Sequence, residues 1–268
     1  MLEQIHGLAF TPDGKDIMVP AHTGFVVYRD RRWKNLTDAP QPVGSVAVTQ
    51  SAAYATARRV SDSAPPAGGL LKSVDGGRTW RPMSASGEAD IRHMAAGLHS
   101  NAIYLISTAP TSGMPVPGLH YTRNDGKTWQ RAAGQGLPAN IASIAVHPAD
   151  PRTVAIGAPD GLYVSRDSGA TFKLIPAGRG VTAVFFDAGG EHVYIAREGV
   201  SAVERVSLEG ERSRTLAVPI APRDFVTYIA QNSARPHEMV VATHLRSLFL
   251  STNGGRTWRT IAREGRPA

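Results

Sequence analysis

An eight-residue pattern that occurs four times constrains the fold of this sequence more than any other feature. The copies occupy residues 73–80, 122–129, 165–172 and 251–258. Each reads Ser or Thr, any residue, Asp or Asn, any residue, Gly, any residue, Thr and an aromatic residue. Asp or Asn can accept hydrogen bonds from N–H groups two residues on, and Gly can adopt the positive φ that closes a turn. The pattern therefore predicts four hairpin turns, each followed by a new strand.

The spacing of the copies predicts the position of a further, degenerate copy. From Trp80 to Trp129 is 49 residues, and from there to Phe172 is 43 residues. The next interval, which ends at Trp258, is 86 residues, twice the one before it. A degenerate copy is therefore expected near residues 206–210, where a hairpin signal survives without the Asp or the aromatic residue.

A further degenerate copy ends at Trp33, after Tyr28-Arg29-Asp30, which brings the number of units to six. A period of roughly 40 to 50 residues with four short strands per unit is typical of β-propellers. We therefore predict an all-β, six-bladed β-propeller of four-stranded antiparallel blades, with the repeated turns between the third and fourth strands. Within one domain of residues 1–268, the expected blades are 5–38, 43–84, 91–133, 141–176, 181–218 and 225–262.

The four copies resemble the Asp-box, or BNR repeat, of sialidases, sortilin-like receptors and other β-propellers. That resemblance assigns a structural role to Asp75, Gly77, Trp80, Asn124, Gly126, Trp129, Asp167, Gly169, Phe172, Asn253, Gly255 and Trp258. Propellers similar to this chain include the photosystem II assembly factor and sortilin ectodomains. Those proteins bind peptides or unfinished protein complexes without catalysis, so the resemblance implies a binding function.

Nearly the whole chain also resembles a family of bacterial exported propellers that are often named glycosyl-hydrolase-like. The matching segments are Ile5-His6-Gly7-Leu8-Ala9-Phe10, Ala21-His22-Thr23-Gly24, Arg92-His93-Met94-Ala95 and Ser112-Gly113-Met114. That family also has a His-Asp pair and a Gly-His-Pro motif in its second blade. The corresponding places here are Pro42-Val43-Gly44-Ser45 and Thr56-Ala57-Arg58-Arg59, so a shared site would be incomplete.

Composition narrows the class of protein further. The net charge is +7, but the basic residues are dispersed and no basic stripe is interleaved with aromatic residues, which disfavours nucleic acid as a partner. The sequence contains no run of about 18 apolar residues, so it predicts no transmembrane helix. The sequence has no cysteine, which excludes disulfides and thiolate metal sites. We expect a periplasmic or secreted protein if a signal peptide was trimmed, and a cytoplasmic one otherwise.

The loops that enter the inner strands share one face of a propeller with the loops that join the second and third strands. That face, at the mouth of the central channel, is the default binding site for a protein, peptide or glycan. The arginines that this register places there are expected to bind the ligand, and they are Arg58, Arg59, Arg92 and Arg246.

The same face collects histidines and a methionine, which raises the question of a metal site. The residues are His6, His22, His93, Met114 and His244. Imidazoles with a thioether suit copper, and imidazoles alone suit zinc. The alternative is that each histidine bonds the backbone of a neighbouring strand and that Met114 is an apolar anchor of its loop. The sequence requires no cofactor, and copper or zinc remains an open alternative.

Catalysis makes a stricter demand on the sequence. Glycosidases need two carboxyl groups about 5 to 10 Å apart across the scissile bond. The candidates at the expected face are few: Asp62, Glu88, Asp90, Asp160 and Asp224. The sequence therefore favours a monomeric, non-catalytic binding or assembly propeller and leans against an enzyme. The alternatives are a glycoside hydrolase-like enzyme and a periplasmic copper- or zinc-binding protein.

Overall fold

A computed structural model of the chain describes residues 2–21, 24–36, 43–57, 69–83 and 91–268. The regular structure of these residues consists of β-strands arranged in six antiparallel sheets. The expected six-bladed β-propeller is thereby confirmed. None of the described residues forms a helix long and apolar enough to cross a membrane.

The first three blades follow the chain in order. Blade one contains β1 (Ala9–Phe10), β2 (Ile17–Ala21), β3 (Gly24–Arg29) and β4 (Arg32–Leu36). Blade two contains β5 (Val43–Val48), β6 (Ala53–Ala57), β7 (Gly69–Ser73) and β8 (Arg81–Pro82). Blade three contains β9 (Ile91–Ala96), β10 (Ile103–Ser107), β11 (Gly118–Thr122) and β12 (Gln130–Arg131). In each blade the first strand is the innermost and consecutive strands pair.

The last three blades repeat this order, and the final blade is longer. Blade four contains β13 (Ser143–Val146), β14 (Val154–Ala158), β15 (Gly161–Ser165) and β16 (Lys173–Ile175). Blade five contains β17 (Val181–Phe186), β18 (His192–Arg197), β19 (Ala202–Ser207) and β20 (Arg212–Ala217). Blade six contains β21 (Val226–Gln231), β22 (Met239–Thr243), β23 (Leu248–Ser251), β24 (Arg259–Arg263) and β25 (Arg266–Pro267). The fifth strand pairs with β24 at the outer edge.

The hydrophobic core lies between the blades. The buried apolar residues form six clusters, and each cluster draws its members from two neighbouring blades. Phe25 of blade one, for example, packs with Ala53 and Leu71 of blade two. Because each sheet has two faces that pack on neighbours, its middle strands are largely buried, and every residue of β2, β14 and β22 is buried.

The ring is closed by hydrogen bonds and packing between the first and last blades. The N–H of Leu2 donates to the carbonyl of Gly265 (2.8 Å), and the indole N–H of Trp33 donates to the carbonyl of Ile261 (2.8 Å). The Asn232 side chain of blade six is fully buried, and its Nδ2 donates to the carbonyl of Gly14 (2.9 Å) in blade one. Blade one thus packs on blade six through both polar and apolar contacts.

The four repeat turns, which are residues 73–80, 122–129, 165–172 and 251–258, all lie between the third and fourth strands of their blades. In the first turn the Asp75 carboxylate accepts the N–H groups of Arg78 (3.0 Å) and Thr79 (2.9 Å) and the Thr79 hydroxyl (2.6 Å). Ser73 Oγ accepts the N–H of Gly77 at 2.8 Å. The sequence prediction of a bond to the N–H two residues on was wrong, since the accepted groups lie three and four residues on.

The glycine of the first turn is required by both its backbone and its surroundings. Gly77 has a φ of +87°, and a Cβ atom there would lie 2.8 Å from Cε of Met18 in blade one. The Trp80 ring packs parallel to Phe25 of blade one, with centroids 4.8 Å apart, and its Nε1 donates to the Gly77 carbonyl (2.9 Å). The turn therefore stabilises both its own hairpin and the contact with the preceding blade.

The two degenerate copies are also turns. In blade five, Ser207 Oγ accepts the N–H groups of Glu209 and Glu211, both at 3.2 Å, so the hydroxyl contact survives without the Asp. In blade one the turn shrinks to Asp30 and Arg31, whose φ values of 50° and 61° give a tight two-residue hairpin.

We call the face that carries the repeat turns the bottom face. The top face is the opposite one, where the inner strands begin and where the second strand of each blade turns into the third.

Candidate functional site

The inner strands of the six blades surround a central channel of about 1060 Å³. Ser45, Arg92, His93 and Ser143 line it near the top face, where β5, β9 and β13 begin. Apolar side chains line the rest of the channel, among them Phe185 near the end of β17. A concave site with a few polar groups above an apolar interior is typical of sites that bind small ligands.

Several polar side chains of the inner strands bond to the next blade. Ser45 Oγ donates to the carbonyl of Arg92 (3.3 Å), and Ser143 Oγ accepts the N–H of Val184 (3.2 Å). The Thr182 hydroxyl donates to the carbonyl of Val226 at 2.6 Å. These bonds join blades two to three, four to five and five to six, so the hydroxyl groups fix the spacing of the blades around the channel.

His93 joins blade three to the segment before blade four in the same way. Burial lowers the pKa of its imidazole, the neighbouring Arg92 lowers it further, and a hydrogen bond with the backbone of Ile141 opposes both. The neutral imidazole is therefore favoured over a wider pH range than in a free histidine. Arg92 itself is exposed at the channel mouth and is available to a ligand there.

A carboxylate lies at the bottom end of the channel. Asp187 is 7% exposed, and its Oδ2 accepts a bond from Arg205 Nη2 at 2.8 Å. Its Oδ1 accepts the N–H of His192 at 3.2 Å, and the imidazole Nδ1 of that histidine lies 3.5 Å from Oδ2. Both oxygens are therefore occupied by blade five itself, which makes Asp187 a structural carboxylate.

Asp224 differs from the other buried carboxyl groups among the described residues. Asp16 pairs with Arg29, and Glu204 pairs with Arg197 and Arg212. Those groups conform to the rule that buried charges are paired.

Asp224 has no such cation among the described residues. Its Oδ1 accepts the N–H groups of Phe225 and Leu245, both at 2.9 Å, while its buried Oδ2 has no hydrogen-bond partner in the described part of the chain. The carboxyl group joins the segment before β21 to the turn between β22 and β23. We call this arrangement the Asp224 clasp.

The structure separates the residues that the sequence assigned to one site. His6, Arg92 and His93 line the channel, whereas His244 and Arg246 lie in the turn between β22 and β23 at the top of blade six. His22, Arg58 and Arg59 lie outside the described residues.

Met114 is fully buried and packs in the cluster between blades two and three. Its thioether is therefore enclosed in the core and is not exposed with the histidines that the sequence grouped with it. Within the described part of the chain, no group of three or more His, Cys, Asp or Glu side chains lies close enough to hold a metal ion.

Sequence reasoning missed the partner of His244. The ring of Phe225 stacks on the imidazole, with centroids 4.9 Å apart and an angle of 11° between the planes. The two residues are 19 positions apart in the sequence. They meet because β21 pairs with β22, and because β21 begins at the top face where β22 ends. To predict this contact from the sequence, the register of that hairpin must be known, and a bulge between Val226 and Tyr228 shifts the register.

No protein-family model matches the chain. It is similar to the oligoxyloglucan-reducing end-specific xyloglucanase of Emericella nidulans, with 26% identity over 221 residues, which are 75% of this chain and 25% of the enzyme. A probable enzyme of the same name from Neosartorya fischeri is 25% identical over 217 residues, 74% of this chain and 25% of that one. The chain thus spans about a quarter of the length of the curated relatives it matches.

Solved propellers are similar in fold. A GH74 enzyme from Niastella koreensis gives a TM-score of 0.64 at 18% identity, and a GH74 xyloglucanase from Xanthomonas campestris gives 0.62 at 17%. Each match covers 96% of this chain and 45% of the enzyme. YCF48 bound to D1 peptide gives 0.55 at 14% identity and covers 97% of this chain and 81% of that one. The expected likeness to glycosyl-hydrolase-like and photosystem II assembly factor propellers is confirmed.

The sequence relatives overturn one expectation. A non-catalytic binding or assembly protein was the favoured interpretation, because acidic residues are sparse at the expected face. The two curated relatives are named as a xyloglucanase and a probable xyloglucanase, and they support the glycoside hydrolase alternative instead. The error has a physical reason: glycosidase chemistry needs only two carboxyl groups, so a small number of acidic residues does not exclude a glycosidase.

Proposed function

We propose that this chain is a glycoside hydrolase-like propeller that binds a glycan of the xyloglucan class at its top face and takes part in cleaving it. The observation that carries the proposal is the similarity to two xyloglucanases over about three quarters of the chain. The site is the mouth of the central channel together with the top-face loops around it.

The two faces of the propeller support the choice of site. The bottom face is occupied by turns whose polar groups bond one another, as in the first repeat turn, where Asp75 accepts bonds from Ser73, Arg78 and Thr79. On the top face, Arg92 is exposed at the mouth of the channel, where its guanidinium can reach a ligand. Binding sites concentrate on loops that a rigid scaffold positions, and the top face fits that description.

Hydrolysis requires a pair of carboxyl groups that touch the substrate. Asp187 and Asp224 do not qualify, since the first is held by Arg205 and the second is buried within its clasp. We place the pair among the remaining sequence candidates, which are Asp62, Glu88, Asp90 and Asp160. The first three lie outside the described residues.

The test is an assay for new reducing ends with xyloglucan as substrate. We expect activity in the wild-type chain and a loss of at least about 100-fold in two of the four variants Asp62→Asn, Glu88→Gln, Asp90→Asn and Asp160→Asn. Asp30→Asn, in the exposed hairpin turn of blade one, is the matched control. The proposal is wrong if the wild-type chain releases no reducing ends, or if all four variants keep full activity.

Arg92 provides an independent test of the channel mouth. If its guanidinium binds the glycan without taking part in the chemistry, Arg92→Ala should raise KM and leave kcat nearly unchanged. Arg214→Ala, an exposed arginine on the outer strand of blade five, should change neither. Equal effects of the two variants would place the glycan elsewhere.

A further inference from the structure

Two rings at the top of blade six form a flat stack. The centroids of Phe225 and His244 are 4.9 Å apart, and their planes are nearly parallel at 11°. Phe225 is half-buried and His244 is exposed, so Phe225 supports the imidazole from below and the histidine faces solvent. No hydrogen bond to another described side chain occupies the His244 imidazole, so its nitrogens are available to a ligand.

The backbone holds this stack in place. The N–H of His244 donates to the carbonyl of Phe225 at 2.9 Å, which joins the two ring-bearing segments directly. The Asp224 clasp adds bonds from Phe225 and Leu245 to one carboxylate oxygen, both at 2.9 Å. A surface that is rigid before a ligand arrives loses little conformational entropy on binding, which favours affinity.

Two arginines, each two residues from a ring-bearing residue in sequence, have an uncommon backbone conformation. Arg223 and Arg246 both have a φ of 65°, in the left-handed region that residues other than glycine seldom adopt. Both side chains are exposed, and Arg246 Nη1 donates to the carbonyl of Glu3 at 3.0 Å, which fixes its position.

The chemistry of the cluster fits a sugar ring. A pyranose presents an apolar C–H face surrounded by hydroxyl groups, so it matches a flat ring with hydrogen-bond donors at its edge. The stack supplies the ring surface, and the guanidinium groups of Arg223 and Arg246 supply donors that never lose their charge. Leu245, which is 40% exposed, extends the apolar surface beside His244.

We propose that the Phe225–His244 stack is a binding platform for a pyranose ring of the glycan, at a position separate from the central channel. A sugar on His244 would hold the polysaccharide against blade six while another part of it occupies the channel mouth. This inference rests on the proposed function, because the glycan class is taken from it.

Binding of a xyloglucan heptasaccharide, measured by titration calorimetry, tests the platform. We expect His244→Ala to weaken binding on the order of tenfold, because stacking is lost. His244→Phe keeps a ring of similar size and should bind within about twofold of wild type. His237→Ala removes an exposed histidine from the bottom face and is the matched control.

The outcomes separate this inference from the proposed function. Wild-type binding that is weakened by His244→Ala and restored by His244→Phe supports the platform. Wild-type binding that is unchanged in His244→Ala, or equally weakened in His244→Phe, overturns the platform and leaves the proposed function standing. A wild-type chain that binds no heptasaccharide overturns both. The melting temperature of each variant should match that of the wild type, because the side chains of His244 and His237 are exposed.

Discussion

The two faces of this propeller are built on different principles. On the bottom face, polar groups bond to each other and to the next blade: the Tyr54 hydroxyl donates to Asp125 (2.6 Å), and that of Tyr104 donates to the carbonyl of Pro151 (2.7 Å). On the top face, Arg92 is exposed at the mouth of the channel, and His244 and Arg223 are exposed at the top of blade six. The comparison teaches that the sequence repeat specifies the scaffold, and it is the reason why we propose that the ligand binds at the face without the repeat.

Changes at the bottom face should therefore affect stability, and changes at the top face should affect ligand binding.

The largest expected effect is that of Trp80→Ala, which removes the ring stacked on Phe25 and the bond to Gly77. We expect a loss of about 3 kcal/mol in the free energy of unfolding, measured by urea denaturation. Leu245→Ala, at the exposed top of blade six, should change it by less than about 0.5 kcal/mol. Equal effects of the two variants would contradict the division between the faces.

The second effect concerns the closure of the ring. Asn232 is fully buried, and its side chain bonds Gly14 of blade one and Glu238 (2.8 Å) of its own blade. We expect Asn232→Ala to lower the free energy of unfolding by about 2 kcal/mol, because the partners lose their bonds inside the protein. Asn35→Ala, in an exposed outer strand, is the control and should be nearly neutral. A neutral Asn232→Ala would show that closure of the ring does not depend on the Asn232 side chain.

A smaller effect is expected at the Asp224 clasp. Asp224→Ala takes the acceptor away from the N–H groups of Phe225 and Leu245, but it also removes a buried carboxyl group that has no cation partner. Since the two effects oppose each other, we expect a loss of only about 1 kcal/mol. Hydrogen exchange of those two amides should accelerate more than that of any amide on the bottom face. Unchanged exchange would show that the clasp does not hold the top-face segments.

The smallest effect is a pH dependence in the first repeat turn. Burial raises the pKa of Asp75, but bonds from Thr79, Ser73 and Arg78 outweigh it and hold the pKa at about 2, below the usual 3.8. Because the folded pKa is the lower one, the contribution of Asp75 to stability is complete above about pH 4 and is lost as the pH falls towards 2.

Asp75→Asn sharpens this prediction, because two of the repeat turns already use asparagine. Asn124 Oδ1 accepts the N–H of Thr128 at 3.0 Å, as an uncharged side chain can. We expect Asp75→Asn to keep the melting temperature at pH 7 and to lose less of it at pH 2.5 than wild type. Asp30→Asn, in the hairpin turn of blade one, should leave the pH dependence unchanged. A variant with the same acid sensitivity as wild type would contradict the assignment to Asp75.

Much of the scaffold was predictable because it follows from local chemistry. The repeat turns need Gly77 and its equivalents for positive φ, and the aromatic residues that follow need a neighbouring blade to pack on. These requirements are written within eight residues, and their spacing gives the number of blades. The degenerate turn at Ser207 was found by spacing alone, and the structure shows that its hydroxyl still organises the hairpin.

The site was less predictable because its contacts are not local. His93 and Ser45 occupy the inner strands as expected, but their bonds to Ile141 and Arg92 depend on how neighbouring blades align. Met114 lies in a loop by its sequence and in the core by its packing, and only the structure distinguishes the two. The stack of Phe225 on His244 likewise depends on the register of one hairpin.

A crystal structure of this chain with a bound xyloglucan oligosaccharide would test the division of the faces and the proposed function together. We expect the sugar at the top face, with one ring against His244 and the chain passing over the channel mouth near Arg92. An oligosaccharide bound to the repeat turns of the bottom face, or crystals that take up no sugar at saturating concentration, would contradict the proposal that this propeller acts on a glycan through its top face.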